Sequence, residues 1–392
     1  MSLKLSNIIN FKTFRTDGEE WKRFAKIIFL AGGIPLLFVF VVLETVAWRV
    51  GETVPFTWAA QEQAQNPDLL WSAGRQQNYA TFKLDRVAEV RPDILVMGQS
   101  RLGQLRGAMF HPYSFYNLSR VSWPLDTYVE ILRHLPEGYQ AKVIIFDLDF
   151  FMFNPLYAKY YADVAPAFAE PSHLTTLADL LVALRKNPML IFAGHHSPTG
   201  QPVLGLAAYR SSGGTRQDGS ELWPLPLRQK AGRDPDMFKN AEWDGPQFFG
   251  GDAMGTEELA KFEEFAAWAR ARNITLIGVQ MPMYDPVVRA LEQDPHYRIL
   301  KDFRDHISSG YFDRLGVIVF DDLTFPPYSG DYRYFITAIH PTEAVNAAVV
   351  LKMYSDPRVK AALPNLDTAS LQRKLDEDKS ADQHIELYHN ND

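Results

Sequence analysis

Two short stretches, far apart in the chain, carry side chains that can do chemistry together. Ser100 stands in Gly98-Gln99-Ser100-Arg101, at the close of the apolar run Ile94-Leu95-Val96-Met97. His340 stands downstream in Thr337-Ala338-Ile339-His340-Pro341-Thr342. A serine hydroxyl is a weak nucleophile until a base takes its proton, and histidine is suited to take it. The chemistry such a pair could do is acyl transfer, in which an ester forms on the serine and is then passed to water or another hydroxyl. Each residue also has a plainer role. Ser100 can cap a helix beginning at Arg101, and His340 can be a surface residue ahead of Pro341, a good first helical residue. The chain has no cysteine, so thiolate catalysis, disulfides and cysteine-held metals are excluded. No Asp, Glu or His spacing demands a metal, and no cofactor is expected.

The elements around these residues alternate. A strand over 94–97 leads into a helical pattern (Leu102, Leu105, Ala108, Met109), which puts Ser100 at a strand–turn–helix junction. Parallel sheets place their sites at that edge, and a helix start offers backbone N–H groups, that of Ser100 included, for an oxyanion. Ser114 to Ser119, Lys142 to Asp147, Ile274 to Gln280 and Val317 to Asp322 read as further strands. Helices are expected over 124–135, 256–273, 286–293 and 297–308, with a last one from Pro341 to Tyr354. The alternation predicts an α/β fold, a parallel sheet covered on both faces. Residues 155–252, rich in aromatics, glycine and proline, break the rhythm and read as a large insertion that shapes a cleft or a partner surface.

The N-terminus sets the expected compartment. Ile27 to Leu43 is uncharged, and Thr45 to Trp48 prolong the apolar character past Glu44. About 20 such residues span a bilayer. Lys4, Lys12, Arg15, Lys22, Arg23 and Lys26 precede the run, and only Arg49 follows closely. The positive-inside rule then places the N-terminus in the cytoplasm and the main domain outside, periplasmic or extracellular, as a single-pass inner- or plasma-membrane protein. The run is too long for an ordinary signal peptide, and Gly32, Gly33 and Pro35 within it suit close helix approach or a kink. The organisation expected is a cytoplasmic tail (1–26), an anchor (27–48), a tether (49–90), a catalytic-type domain (91–365) and a polar tail (366–392). A net charge of −7 argues against nucleic acid as a partner.

The order hydrophobic-Gly-x-Ser-Arg, then Tyr116-Asn117-Leu118, a long insertion and a late His-Pro-Thr resembles the SGNH/GDSL hydrolase superfamily over roughly residues 90–355. Within it the chain is similar to the membrane-anchored SGNH-like proteins that partner MBOAT acyltransferases in alginate-type O-acetylation and teichoic-acid D-alanylation. The resemblance implies an SGNH-like (flavodoxin-like) three-layer sandwich, with Ser100 as nucleophile and His340 as base. The family carries an aspartate three residues before the histidine, where this chain has Thr337. Asp331, Asp321 or Asp322 is then a possible replacement acid, or Thr337 a substitute. The family's oxyanion hole implies the N–H of Ser100, that of Ser119 (where glycine is usual) and the side chain of Asn154. Asp147 and Asp149, nearer the third strand end, suit capping or pairing with Arg101 or Arg120.

Two functions follow from the resemblance. One is an anchored O-acyltransferase or esterase acting on an envelope glycan or exopolysaccharide, with an MBOAT-type membrane partner. Trp223, Phe238, Trp243, Phe248 and Phe249 would then either stack on sugar rings or form the insertion's core. The other is a catalytically silent SGNH-like scaffold subunit of a membrane complex.

Overall fold

The computed structural model describes residues 18–74, 79–121, 124–161, 172–239, 241, 243, 245–378 and 386–388. Residues 1–17 of the expected cytoplasmic tail, and 379–385 and 389–392 of the expected polar tail, lie outside the described residues.

Five strands form the central sheet: β1 (Ile94–Gly98), β2 (Phe115–Ser119), β3 (Val143–Asp147), β4 (Thr275–Gln280) and β5 (Val317–Asp321). All neighbours are parallel, in the order β2-β1-β3-β4-β5. The order reverses beside β1, so the connections after β1 and β3 diverge at the sheet's carboxyl edge, where open parallel sheets place their sites. Successive strand residues face opposite sides. Leu95, Met97, Ile144 and Phe146 pack into one apolar cluster, and Ile94, Val96, Val143 and Ile145 into a second. Both faces are dry, which is why these strands read as continuous apolar runs rather than alternating ones.

Helices cover both faces. On the first lie α2 (Leu125–Arg133) and α4 (Thr256–Arg270), following α1 (Tyr79–Val90) in the chain; Phe262, Phe265 and Ala266 of α4 meet Tyr128 and Phe146. On the second lie α5 (Glu343–Ser355) and α6 (Thr368–Glu377). Between α2 and α4 the insertion carries α3 (His173–Lys186) and a 3-10 turn, Pro188–Phe192. The N-terminal helix is continuous from Trp21 to Val50 and apolar enough to cross a membrane. A π-helical segment, Phe29–Gly33, interrupts it just before Pro35.

Three expectations are corrected. Residues 49–90 are no tether. They contain helices Phe56–Gln65 and α1, and Leu70–Trp71 pairs with Val203–Leu204 and Gly214–Thr215 of the insertion in a small second sheet. Trp71 stacks on Phe82 with ring centroids 4.0 Å apart, both buried. Residues 366–377 are no loose tail either, because Leu366 and Leu371, with Leu387 and Tyr388, pack into the second cluster. After Ser100 the chain forms two 3-10 turns, Ser100–Leu102 and Gly107–Phe110, in place of the expected helix. Gly103 and Gly107 fall between and within them, where helix propensity is lowest.

Candidate active site

Ser100 follows the sharp end of β1. Gly98 has φ +148, and a β-carbon there would stand 2.6 Å from Cβ of Asp147. Only glycine fits, and its turn lifts Ser100 to the sheet's carboxyl edge. Asn117 steadies the segment that follows: its side-chain amide donates to the carbonyls of Leu102 and Leu105, each at 2.9 Å.

His340 arrives on a two-strand hairpin, β6 (Phe335–Thr337) with β7 (His340–Pro341). In that register Thr337 lies directly opposite His340, the closest arrangement two strand side chains can take. Because His340 and Pro341 are held in the hairpin, α5 starts at Glu343, two residues later than the sequence suggested.

The two ends meet. Ser100 Oγ lies 2.8 Å from His340 Nε2, and Thr337 Oγ1 lies 2.7 Å from Nδ1. With the proton on Nδ1, the imidazole donates to the Thr337 hydroxyl and its Nε2 lone pair accepts the Ser100 O–H. The hydroxyl stands where the resemblance implies a carboxylate. The proposed replacement acids are engaged elsewhere: Asp331 holds Arg333 at 2.5 Å, Asp321 lies 3.5 Å from Arg304, and buried Asp322 pairs with Lys352.

His340 is therefore in a cationic setting. Its pKa is lowered from 6.5 to about 3, first by burial, then by the guanidinium charges of Arg101 and Arg120. The imidazole is neutral at physiological pH and able to accept a proton, but among the described residues no anion supports the imidazolium that would result.

Beneath Ser100 the charges are reversed. Buried Arg101 reaches Asp149 and the carbonyl of Met281. Asp147, fully buried, is pushed well above the usual carboxylate range by burial and then by the neighbouring Asp149. Asp149 is the member of the two that pairs with Arg101. Of the pairings expected for these aspartates, that of Asp149 with Arg101 is formed, while Arg120 lies 3.4 Å from Glu221 instead.

Two expected oxyanion donors are directed elsewhere. The Ser119 N–H donates to Oδ1 of Asn117 at 2.8 Å. The Asn154 amide donates to the carbonyls of Phe249 (2.8 Å) and Gly250 (3.0 Å), and its Oδ1 accepts the Leu156 N–H. Asn154 is a buried clamp on the insertion. Ser100 N–H keeps its place at the opening of the turn Ser100–Leu102.

The insertion completes the site's wall. Its segment 216–222 runs beside β2: Asn117 N–H donates to Asp218 O at 2.9 Å, and Glu221 N–H to Gly103 O at 2.8 Å. Gly219, at φ +79, has no room for a side chain, since a β-carbon would stand 2.4 Å from Asn117 O. Buried Lys83, its pKa lowered by burial to about 8, donates to the carbonyls of Ser119 (2.9 Å) and Gly219 (2.8 Å). This docking carries Trp223 onto His340, the ring centroids 4.6 Å apart and edge-on. Its indole N–H is buried with no hydrogen-bond partner among the described residues. Phe238, Trp243 and Phe248 pack on one another at 4.7–5.4 Å against the main core, and Phe249 meets Tyr160. Sequence reasoning offered Trp223 only as one of five insertion aromatics for sugar stacking or core, and Arg120 only as a partner for Asp147 or Asp149, with neither placed against His340. The one available signal for Arg120 was its place directly after the second strand.

Compared with known proteins, the chain matches no family model, no curated protein and no solved structure.

Proposed function

We propose that this protein is a membrane-anchored, extracytoplasmic O-acyltransferase or esterase with an SGNH-like (flavodoxin-like) three-layer architecture. The observation that carries the reading is the continuous chain Ser100–His340–Thr337, with contacts of 2.8 and 2.7 Å. Ser100 Oγ attacks the acyl carbonyl of an ester, and its proton passes to His340 Nε2. The tetrahedral intermediate collapses, and His340 returns the proton to the departing alkoxide. A second hydroxyl, from a glycan or water, then attacks the acyl-serine with His340 again as base. Thr337 holds the tautomer. Ser100 N–H and the Trp223 indole N–H are the candidate oxyanion donors. The strand order supports the architecture, and the apolar helix Trp21–Val50 supports anchoring. The polysaccharide acceptor and the MBOAT-type membrane partner rest on the resemblance.

A second reading has its own support. Ser119 N–H is occupied, Asn154 is turned away, and His340 lacks an anion among the described residues. These favour a catalytically silent scaffold subunit of a membrane complex. A fluorophosphonate probe separates the two. The enzyme reading expects covalent label on the Ser100 peptide of the parent and none in Ser100→Ala. An unlabelled parent that also fails to hydrolyse small acetyl esters gives the scaffold reading the field.

A further inference from the structure

The insertion has an apolar surface of its own. α3 is amphipathic with two greasy sides. Leu177, Leu180 and Ala183 pack on Leu43, Val46, Ala47 and Val50, the last two turns of the N-terminal helix. The other side leaves Leu174, Leu181 and Val182 exposed, and the 3-10 turn that follows exposes Met189, Ile191 and Phe192. Leu174, Met189 and Phe192 are each about 70% exposed (73, 67 and 70%). Scattered single apolar residues need no explanation, but a contiguous set this large does.

The length of the N-terminal helix says what covers it. Lys26 is the last charge before the apolar run. A hydrocarbon core of about 30 Å needs about 20 residues at 1.5 Å each, which carries it to the neighbourhood of Val46. The far interface then falls between Glu44 and Arg49, where Trp48 is 66% exposed, as an interfacial tryptophan would be. That is the stretch on which α3 is packed. His173, at the start of α3, meets Glu44 at 2.5 Å. The exposed side of α3 therefore lies at the depth of the interface, continuous with the lipid-facing side of the helix. Exposed Arg49, Arg185 and Lys186 flank it, suited to headgroup phosphates.

We propose that α3 and the turn Pro188–Phe192 form a second membrane contact, seated in the interface of the bilayer that the N-terminal helix crosses. This rests on the anchoring part of the functional reading. The interfacial contact fixes the domain's tilt, and so the direction in which the sheet edge bearing Ser100 faces.

The absence of cysteine gives a clean test. Single cysteines replace Leu181, Phe192, Leu37 (within the span) or Glu257 (on α4) in the full chain. Each is labelled with a nitroxide and reconstituted into vesicles of phosphatidylcholine with phosphatidylglycerol. Collisions with oxygen, which concentrates in lipid, are compared with those of a water-soluble nickel chelate. The expected result is a severalfold oxygen preference at 37, 181 and 192, and a nickel-chelate preference at 257. Nickel-chelate preference at 181 and 192, with oxygen preference kept at 37, overturns the second contact and leaves anchoring intact. Loss of oxygen preference at 37 overturns anchoring itself and this proposal with it.

Discussion

Ser100 and Arg101 are consecutive, yet their side chains enter opposite chemical settings. Ser100 joins a chain of neutral groups, His340 and Thr337, at a half-buried edge. Arg101 turns inward to Asp149, with Asp147 beside it, in a fully buried charged cluster. The carboxylates that a serine hydrolase would place behind its histidine lie here behind the turn that carries the serine. The turn that carries Ser100 is backed by buried charge, and no anion among the described residues stands beside His340. Geometry and electrostatics are thus supplied by separate layers, and each can be altered alone.

The sharpest break is at the serine. Ser100→Ala is expected to lower ester turnover about 10⁴-fold or to background while leaving the thermal unfolding midpoint nearly unchanged; a variant with parental turnover ends the acyl-transfer reading. The buried layer should behave in the reverse way. Arg101→Leu or Asp149→Ala strands one buried charge, and about 3–5 kcal/mol of stability should be lost, read as the shift in urea midpoint. Replacing both by apolar residues should recover much of it.

Thr337 tests the missing charge. Thr337→Asp puts a carboxylate beside Nδ1, which favours the imidazolium and raises the histidine's pKa. Turnover should rise about tenfold or more, and the acid limb of kcat/KM should move up from about pH 3 towards the ordinary histidine range of 6.5. Thr337→Val, which only removes a hydrogen bond, should cost about 1 kcal/mol of barrier, or roughly fivefold. A separate effect is on stability. His340 is depressed to about 3 in the fold and titrates near 6.5 when unfolded, so between those values the unfolded chain binds more protons. Stability should fall as pH drops through that window and be level above it. His340→Gln should lack this slope in urea titrations from pH 7 to 4.

How far the sequence disclosed all this depended on distance along the chain. Strands such as Ile94–Gly98 and Val143–Asp147 were legible because both sheet faces are apolar, and the local pattern records that. The meeting of Ser100 and His340 was legible as two motifs at the edges of such elements. Ser119 failed as an oxyanion donor because Asn117, two residues earlier, takes its N–H. Asn154 failed because its partners lie near Phe249, about a hundred residues on. Residues 49–90 looked like a tether because the strands that pair with Leu70–Trp71 come from beyond residue 200. Trp223 reaches His340 only through the insertion's docking on β2, and no spacing within the insertion announces that.

The joint between the N-terminal helix and the domain has a consequence for how readily the two can be cut apart. Leu43, Val46, Ala47 and Val50 are buried on α3, Gly51 is buried against Leu204, and helix Phe56–Gln65 begins a few residues later. A protease needs an extended, exposed stretch to enter, and here, past Gly51, only residues 52–55 lack regular structure, with Pro55 exposed and the other three half-buried. Under the proposed anchoring, limited proteolysis at this joint should be slow, and the domain should stay with its helix.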